Sequence, residues 1–349
     1  MTISAKQNAW RTPEELLVEY MDHILKQEYE EMYAMLHIEA SGNVSQEDLE
    51  KHAGEGYAAN SVIGRSGMEG DPMYNRFRQV WCPGSTFKPI IAAIGLQSGA
   101  IDPMEDYGNV GLSWQKDASW GSYHVTTLHA YEPVILEKAL IYSDNIYFAK
   151  AALKIGSDEL ENSLIRLGFN EELPFEIKMA ESQYSNTEGI ETEIQLADSG
   201  YGQGQILVNP LHMACIYSAF CNEGNVIKPY LVYQNEAEAE YWIPGAFSNE
   251  TASRVLEGTK KVVNDSNGTG YAAHRDDILL AGKTGTAEIK ASKDDTSGTE
   301  LGWFAIFTAE DTECPILIIS MVEDVKGRGG SGYVVKKDSL VLEEWFSSH

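Results

Sequence analysis

The chain has 349 residues, with 26 Lys plus Arg against 53 Asp plus Glu, and a formal net charge of −27. Hydrophobic residues make up 43%, enough for a packed core, which argues against global disorder. The negative charge argues against nucleic-acid and anionic-lipid partners, both of which recruit Lys and Arg.

Four cysteines (Cys82, Cys215, Cys221, Cys314) show no CxxC spacing and are too few for a disulfide framework, so neither a metal site nor a redox pair is expected. The start of the chain is polar, and the longest apolar runs are strand-length. A soluble chain with no signal peptide or membrane anchor of its own is expected.

Taken in order, Thr12-Pro13-Glu14-Glu15 reads as a helix cap with proline at the first helical position. Leu16, Leu17, Tyr20, Met21, Ile24 and Leu25 then share one helical face. A second short helix carries Tyr29, Met32, Tyr33 and Leu36, and a third starts at Ser45. From 53 to 83 glycine, asparagine and proline are frequent, and neither helix nor strand is predicted.

Residues 85–97 are apolar and small and stop at Gly99, as a buried helix would. A helical stretch over 137–155 is broken at Ser143-Asp144-Asn145, and further helices are expected over 209–222 and 251–263. Three strands follow at 277–289, 301–308 and 315–325, and the chain closes with a helix over 334–346. Helices first, then consecutive strands and a last helix, give an α+β fold with an antiparallel sheet.

Three short motifs carry chemistry. In Ser85-Thr86-Phe87-Lys88 the spacing of three puts a hydroxyl and an amine on one helical face. A serine becomes nucleophilic when a base takes its proton, and a lysine of depressed pKa can do so. The bland alternative is a helix cap beside a surface lysine. Ser143-Asp144-Asn145 supplies a hydroxyl to relay a proton and an amide to hold a substrate; its alternative is a helix break bonded to its own backbone. Lys283-Thr284-Gly285-Thr286 lies in an apolar strand, where Gly285 lets another backbone approach, Lys283 adds a cation, and two hydroxyls suit a carboxylate. Here the alternative is a glycine bulge with exposed polar groups.

Residues 327–332 fit GxGxxG, but no βαβ unit follows, so a plain turn is expected. The eight histidines show no HExxH or paired spacing.

The order SxxK, SDN, KTG, each on a fitting element, is the signature of class A β-lactamases and penicillin-binding proteins. From about Met68 onward the chain resembles the transpeptidase domain of class B penicillin-binding proteins. Beyond the three motifs, the likeness rests on Asn75-Arg76-Phe77, Pro83-Gly84 and Pro89 around the first motif, and on Ile146-Tyr147-Phe148-Ala149 after the second. Tyr201-Gly202-Gln203-Gly204 with Asn209-Pro210-Leu211, and Ala287-Glu288 followed by Trp303-Phe304, extend it. The helical block 12–36 resembles the opening of the nuclear-transport-factor-like N-terminal domain of low-affinity, methicillin-resistance-type members.

This resemblance implies a penicillin-binding protein/serine β-lactamase-like fold, an antiparallel sheet flanked by helices. It divides the chain into a helical N-terminal remnant, 1–54, and a transpeptidase domain, 55–349. The family has two sheet strands ahead of the nucleophile helix. Residues 53–68 are too short and strand-poor to supply them, so three sheet strands and one bare sheet edge are expected.

The implied activity is D,D-transpeptidation of peptidoglycan stem peptides ending in D-Ala-D-Ala, outside the cell membrane, with no cofactor or metal. Ser85 would attack and form an acyl-enzyme, with Lys88 as base, Ser143 as proton relay, Asn145 orienting the substrate amide and Lys283 supplying the field. Thr284, Gly285, Thr286, Gln203 and Gly204 would bind substrate. The backbone N–H groups of Ser85 and Thr286 would form the oxyanion hole. Partners are the D-Ala-D-Ala donor, an amine acceptor and β-lactams. Against this stand a serine β-lactamase, for which no ExxLN segment is found, and a non-catalytic β-lactam sensor or inactive fragment. A D,D-carboxypeptidase would use the same residues with water as acceptor.

Overall fold

The computed structural model describes residues 76–231, 240–289 and 298–348. The expected N-terminal helices, the stretch 53–68 and the whole of 1–54 lie outside these residues. The chain divides into two compact units, Met1–Gln79 and Val80–His349. Within the first, the described residues form a 3-10 turn over Arg76–Arg78.

At the centre of the second unit is helix α1, Lys88–Gln97, in which every residue from Lys88 to Gly95 is buried. Its sequence is apolar or small on all sides after Lys88, as suits a helix enclosed all round. Pro89 sits in the first turn, where its missing N–H breaks no bond. At the other end Ser98 Oγ donates to Ile94 O at 2.8 Å.

A small hairpin of β1, Ser113–Trp114, and β2, Val125–Thr126, follows. Next come α2, Leu136–Ile141, and α3, Asn145–Ile155, on either side of the break foreseen at the second motif. Helices α4, Ser157–Arg166, and α5, Glu193–Ser199, are elements that the pattern reading passes over. In α4, Leu160 and Leu164 are the buried apolar pair, too sparse a stripe to stand out. Helix α5 is only seven residues long, although Thr192, which caps it by accepting from Gln195 N at 3.1 Å, begins a Thr-x-x-Gln cap.

Helix α6, Pro210–Ser218, leads into a second hairpin of β3, Val226–Ile227, and β4, Tyr241–Ile243. Helix α7, Asn249–Asn264, is capped by Ser248 and packs with α3 against α1.

The main sheet has the order β5–β6–β7, all antiparallel: β5 is Leu280–Ile289, β6 Thr299–Thr308 and β7 Leu317–Val322. Gly285 lies opposite Trp303, and Phe304 opposite Ser320. Alternation along β6 explains its unbroken apolar run. Leu301, Trp303, Ala305 and Phe307 enter the large core around α1. Phe304 and Ile306 enter a smaller core closed by the last helix, α8, Ser331–Ser348. Both faces are covered, so neither can be polar. All six residues of β7 are half-buried, and among the described residues its strand partner is β6 alone.

The glycine run 327–330 is a turn ahead of α8, as expected, with Gly327, Gly329 and Gly330 at positive φ. No helix among the described residues is long and apolar enough to cross a membrane.

Candidate active site

Ser85 stands in a 3-10 turn, Gly84–Phe87, that runs directly into α1. This refines the expected single helix over 85–97, and it matters chemically. In a 3-10 turn residues three apart eclipse one another, so Lys88 Nζ lies 2.8 Å from Ser85 Oγ. Glycines let the turn nest among its neighbours. Gly84 has φ +53°, and a Cβ there would sit 2.7 Å from Thr286 O. A Cβ on Gly285 would come within 2.9 Å of Thr86 N and 2.8 Å of Pro83 O, so β5 lies flat against the turn of Ser85 only because that position is glycine.

Ser143 occupies the left-handed region at φ 54°, a conformation that an L-residue holds only when its surroundings enforce it. The next residue, Asp144, is bonded on both sides. Its Oδ1 caps α3 by accepting from Ile146 N at 2.8 Å and Tyr147 N at 3.2 Å. Its other oxygen accepts from Asn109 Nδ2 at 2.9 Å and Tyr131 OH at 2.8 Å. The buried middle residue of the second motif is therefore a fastener, which the motif reading left without a role. Asn145 follows as the first residue of α3, with its Nδ2 donating to Thr126 O at 3.0 Å.

The three motifs meet at the two lysines. Lys88 Nζ contacts Ser143 O at 2.6 Å, Asn145 Oδ1 at 2.7 Å and Ser143 Oγ at 3.1 Å in addition to Ser85. Lys283 Nζ donates to Ser143 Oγ at 2.8 Å and to Thr284 O at 3.0 Å. Both lysines are fully buried, at 0% exposure.

Desolvation, reinforced by the Lys283 charge and opposed by Asp144, holds the Lys88 amine well below its ordinary pKa. Burial likewise lowers Lys283, to about 7. The geometry around Lys88 agrees with a neutral amine. Its two N–H groups fit the short contacts to Ser143 O and Asn145 Oδ1. The lone pair is then left to accept the proton of Ser85.

Of the expected substrate-binding residues, Thr284 is buried and donates to Thr269 Oγ1 at 2.6 Å. Thr286 is half-buried and accepts from Ser331 N at 3.2 Å, a contact that leaves its hydroxyl proton uncommitted. Gly202 O accepts from Gly84 N at 2.9 Å, and a side chain on Gly202 would run into Gly84 and Phe87. Gln203 Oε1 is 3.5 Å from Cys82 Sγ, and Gly204 turns the loop beside Asp198 at φ +70°. Trp303 Nε1 donates to Cys82 O at 2.9 Å and anchors the segment that leads to Ser85. Among the described residues no cluster of His, Cys, Asp and Glu could hold a metal ion.

Comparison with known proteins gives the following. The chain is 42% identical over 268 residues to penicillin-binding protein 3 of Bacillus subtilis (strain 168), covering 76% of this chain and 40% of that protein. It is 26% identical over 289 residues to the peptidoglycan D,D-transpeptidase MrdA of Haemophilus influenzae, covering 74% of this chain and 44% of the relative. The fold is similar to that of the TP domain of Burkholderia pseudomallei penicillin-binding protein 3, with a TM-score of 0.63 at 22% identity over 75% of this chain and 77% of that one. The chain spans about two fifths of the length of the curated relatives it matches. Residues 37–339 match the penicillin binding protein transpeptidase domain, and the chain belongs to that family.

Proposed function

We propose that this chain is a D,D-transpeptidase that cross-links peptidoglycan stem peptides through a serine acyl-enzyme on Ser85. The observation that carries the reading is a buried lysine of depressed pKa, 2.8 Å from a serine hydroxyl. Ser85 Oγ attacks the carbonyl of the penultimate D-Ala while its proton passes to Lys88 Nζ. Backbone N–H groups of Ser85 and Thr286 stabilise the oxyanion, a contribution of about 3 kcal/mol per donor in such sites. Lys283 donates to Ser143 Oγ, and Lys88, once it holds the Ser85 proton, has a third N–H for the same oxygen 3.1 Å away, so the Ser143 proton is directed away from both, to the departing D-Ala nitrogen. Lys88 restores that proton through Ser143. The amine of a second stem peptide then attacks the ester, and Ser85 regains its proton as the new amide forms.

In this reading Asn145 orients the donor amide, the Thr286 hydroxyl binds the terminal carboxylate with Thr284 behind it, and Lys283 supplies the field. Gly285 lets β5, along which the donor is bound, close on the turn that carries Ser85, and Gln203 and Gly204 line the opposite side. Penicillins acylate Ser85 as mimics of the donor. We further infer the low-affinity, methicillin-resistance-type subgroup, a remnant N-terminal domain over 1–54 and a transpeptidase domain over 55–349, and action outside the cell membrane. The helical pattern of 12–36 supports the first two.

Intact-protein mass spectrometry after incubation with a penicillin tests the central claim. One adduct is expected, absent in Ser85→Ala. No adduct on a folded protein would overturn the acyltransferase reading. Hydrolysis of nitrocefin well beyond one equivalent would point to the β-lactamase alternative instead.

A further inference from the structure

Asp198, on α5, lies outside all three motifs and accepts hydrogen bonds from the hydroxyls of both Tyr123 and Tyr201, which are themselves 3.0 Å apart. Each tyrosine starts a short segment that ends on the catalytic group. Tyr201 begins the 201–204 loop, whose Gly202 O accepts from Gly84 N, beside the nucleophile, at 2.9 Å. The same carbonyl accepts from Cys82 Sγ at 3.2 Å, and Gln203 N returns to Asp198 O at 3.0 Å. Tyr123 leads into β2, whose Thr126 O accepts from Asn145 Nδ2 at 3.0 Å. One carboxylate thus sits where two segments cross, one holding the turn of Ser85 and the other holding Asn145.

We propose that Asp198 is a positioning residue that sets the distance across the cleft between Ser85 and Asn145 by clamping Tyr123 and Tyr201 together. The chemistry asks for an anion. Two phenol hydroxyls converge on one oxygen, and an ionised acceptor strengthens both bonds roughly twofold over a neutral one. A second tie keeps the hairpin on α5 without Asp198. Glu193 accepts from Lys116, and from Trp120 Nε1 at 3.4 Å. Loss of the clamp therefore loosens the alignment of the site rather than detaching the segment.

This proposal deepens the acyltransferase reading and rests on it, so its test has two readouts. In the first, Asp198→Asn and the double variant Tyr123→Phe/Tyr201→Phe are acylated by a penicillin under single-turnover conditions. Each is expected to slow the acylation step about tenfold to a hundredfold, the range for small misplacements of reacting groups. The dissociation constant of the preceding non-covalent complex should change less than about twofold, since a positioning residue acts on the alignment of the reacting groups rather than on binding. Adding Asp198→Asn to the double variant should cause no further loss, because all three side chains act through one junction.

The second readout is amide hydrogen exchange at Gly84, expected to quicken about tenfold in Asp198→Asn while the amides of α1 stay protected. It needs no activity. If the wild type fails to acylate but Gly84 exchange responds, the functional reading falls and the clamp stands. Unchanged acylation, or unchanged Gly84 exchange in folded Asp198→Asn, would overturn the proposal. If Asp198→Asn does not fold, the two tyrosine variants carry the same measurements, each removing one hydroxyl.

Discussion

Lys88 and Asp338 are both ionisable side chains shut away from water, at 0% and 4% exposure. Burial pushes each toward its neutral form: Lys88 goes well below its ordinary value, and Asp338 rises to about 7. Their surroundings are nevertheless opposite. Lys88 touches four acceptor atoms drawn from two motifs. Asp338, on α8, accepts from Ser320 Oγ of β7 at 2.7 Å, while its second oxygen has no hydrogen-bond partner among the described residues. A displaced pKa does not by itself mark a reactive group. What separates a reactive group from a structural liability is whether the neutral form faces an atom it can react with. Lys88 faces Ser85 Oγ, whereas the second oxygen of Asp338 meets no hydrogen-bonding atom among the described residues.

The largest expected effect breaks the first half of this comparison. Lys88→Met should slow acylation by about 10²- to 10⁴-fold, the range for loss of a positioned base. Stability should move by no more than about 2 kcal/mol, since relief of a buried amine offsets the orphaning of Ser143 O and Asn145 Oδ1. Acylation kinetics and urea denaturation of the same preparation check both numbers. Unfolding of the variant would mean that Lys88 is there for the fold.

The same contrast shows how far the sequence could be read. The turn of Ser85, the helix break and the glycine strand are visible because each needs particular residues at short spacing, and the sheet strands because apolar runs of that length are hard to place otherwise. Long-range fasteners are not visible. Nothing in local spacing links Asp144 to Asn109 and Tyr131, or Asp198 to Tyr123, since these pairs close across separate elements. Thr284 shows the same limit. Its hydroxyl is expected to suit a carboxylate, and the fold also brings it to Thr269, a contact that local spacing does not reveal. Asp338 is not singled out by the sequence, and the packing of α8 on the sheet is what buries it.

Asp338→Asn sharpens the second half. The folded-state pKa is raised from 3.8 to about 7, so between those values the folded state holds a proton that the unfolded state has lost. The stability this confers is complete below about pH 4 and is lost as pH rises through about 7. The asparagine variant keeps the shape and cannot ionise. It should match the wild type near pH 4 and exceed it by on the order of a few kcal/mol at pH 8, with acylation unaltered. Urea denaturation at the two pH values reads the difference, and a gap that does not widen with pH would show that the carboxyl is not neutral in the fold.

The smallest effect asks whether burial alone accounts for Lys88, as it does for Asp338. For Asp338 desolvation is the sole raising cause, with Ser320 acting against it. For Lys88 the charge of Lys283 adds to desolvation. If Lys88 is the base, acylation must rise with pH as Lys88 gives up its proton. Removing a neighbouring cation makes that proton harder to lose, so in Lys283→Met the rise should move to higher pH. Lys283→Arg keeps a cation there and should leave the midpoint near its wild-type position. The maximum rate falls in Lys283→Met as well, because Ser143 loses a donor, but the midpoint is independent of that height. A midpoint unmoved in Lys283→Met would assign the whole displacement to desolvation. Lys88 and Asp338 would then share one electrostatic cause and differ only in what they face.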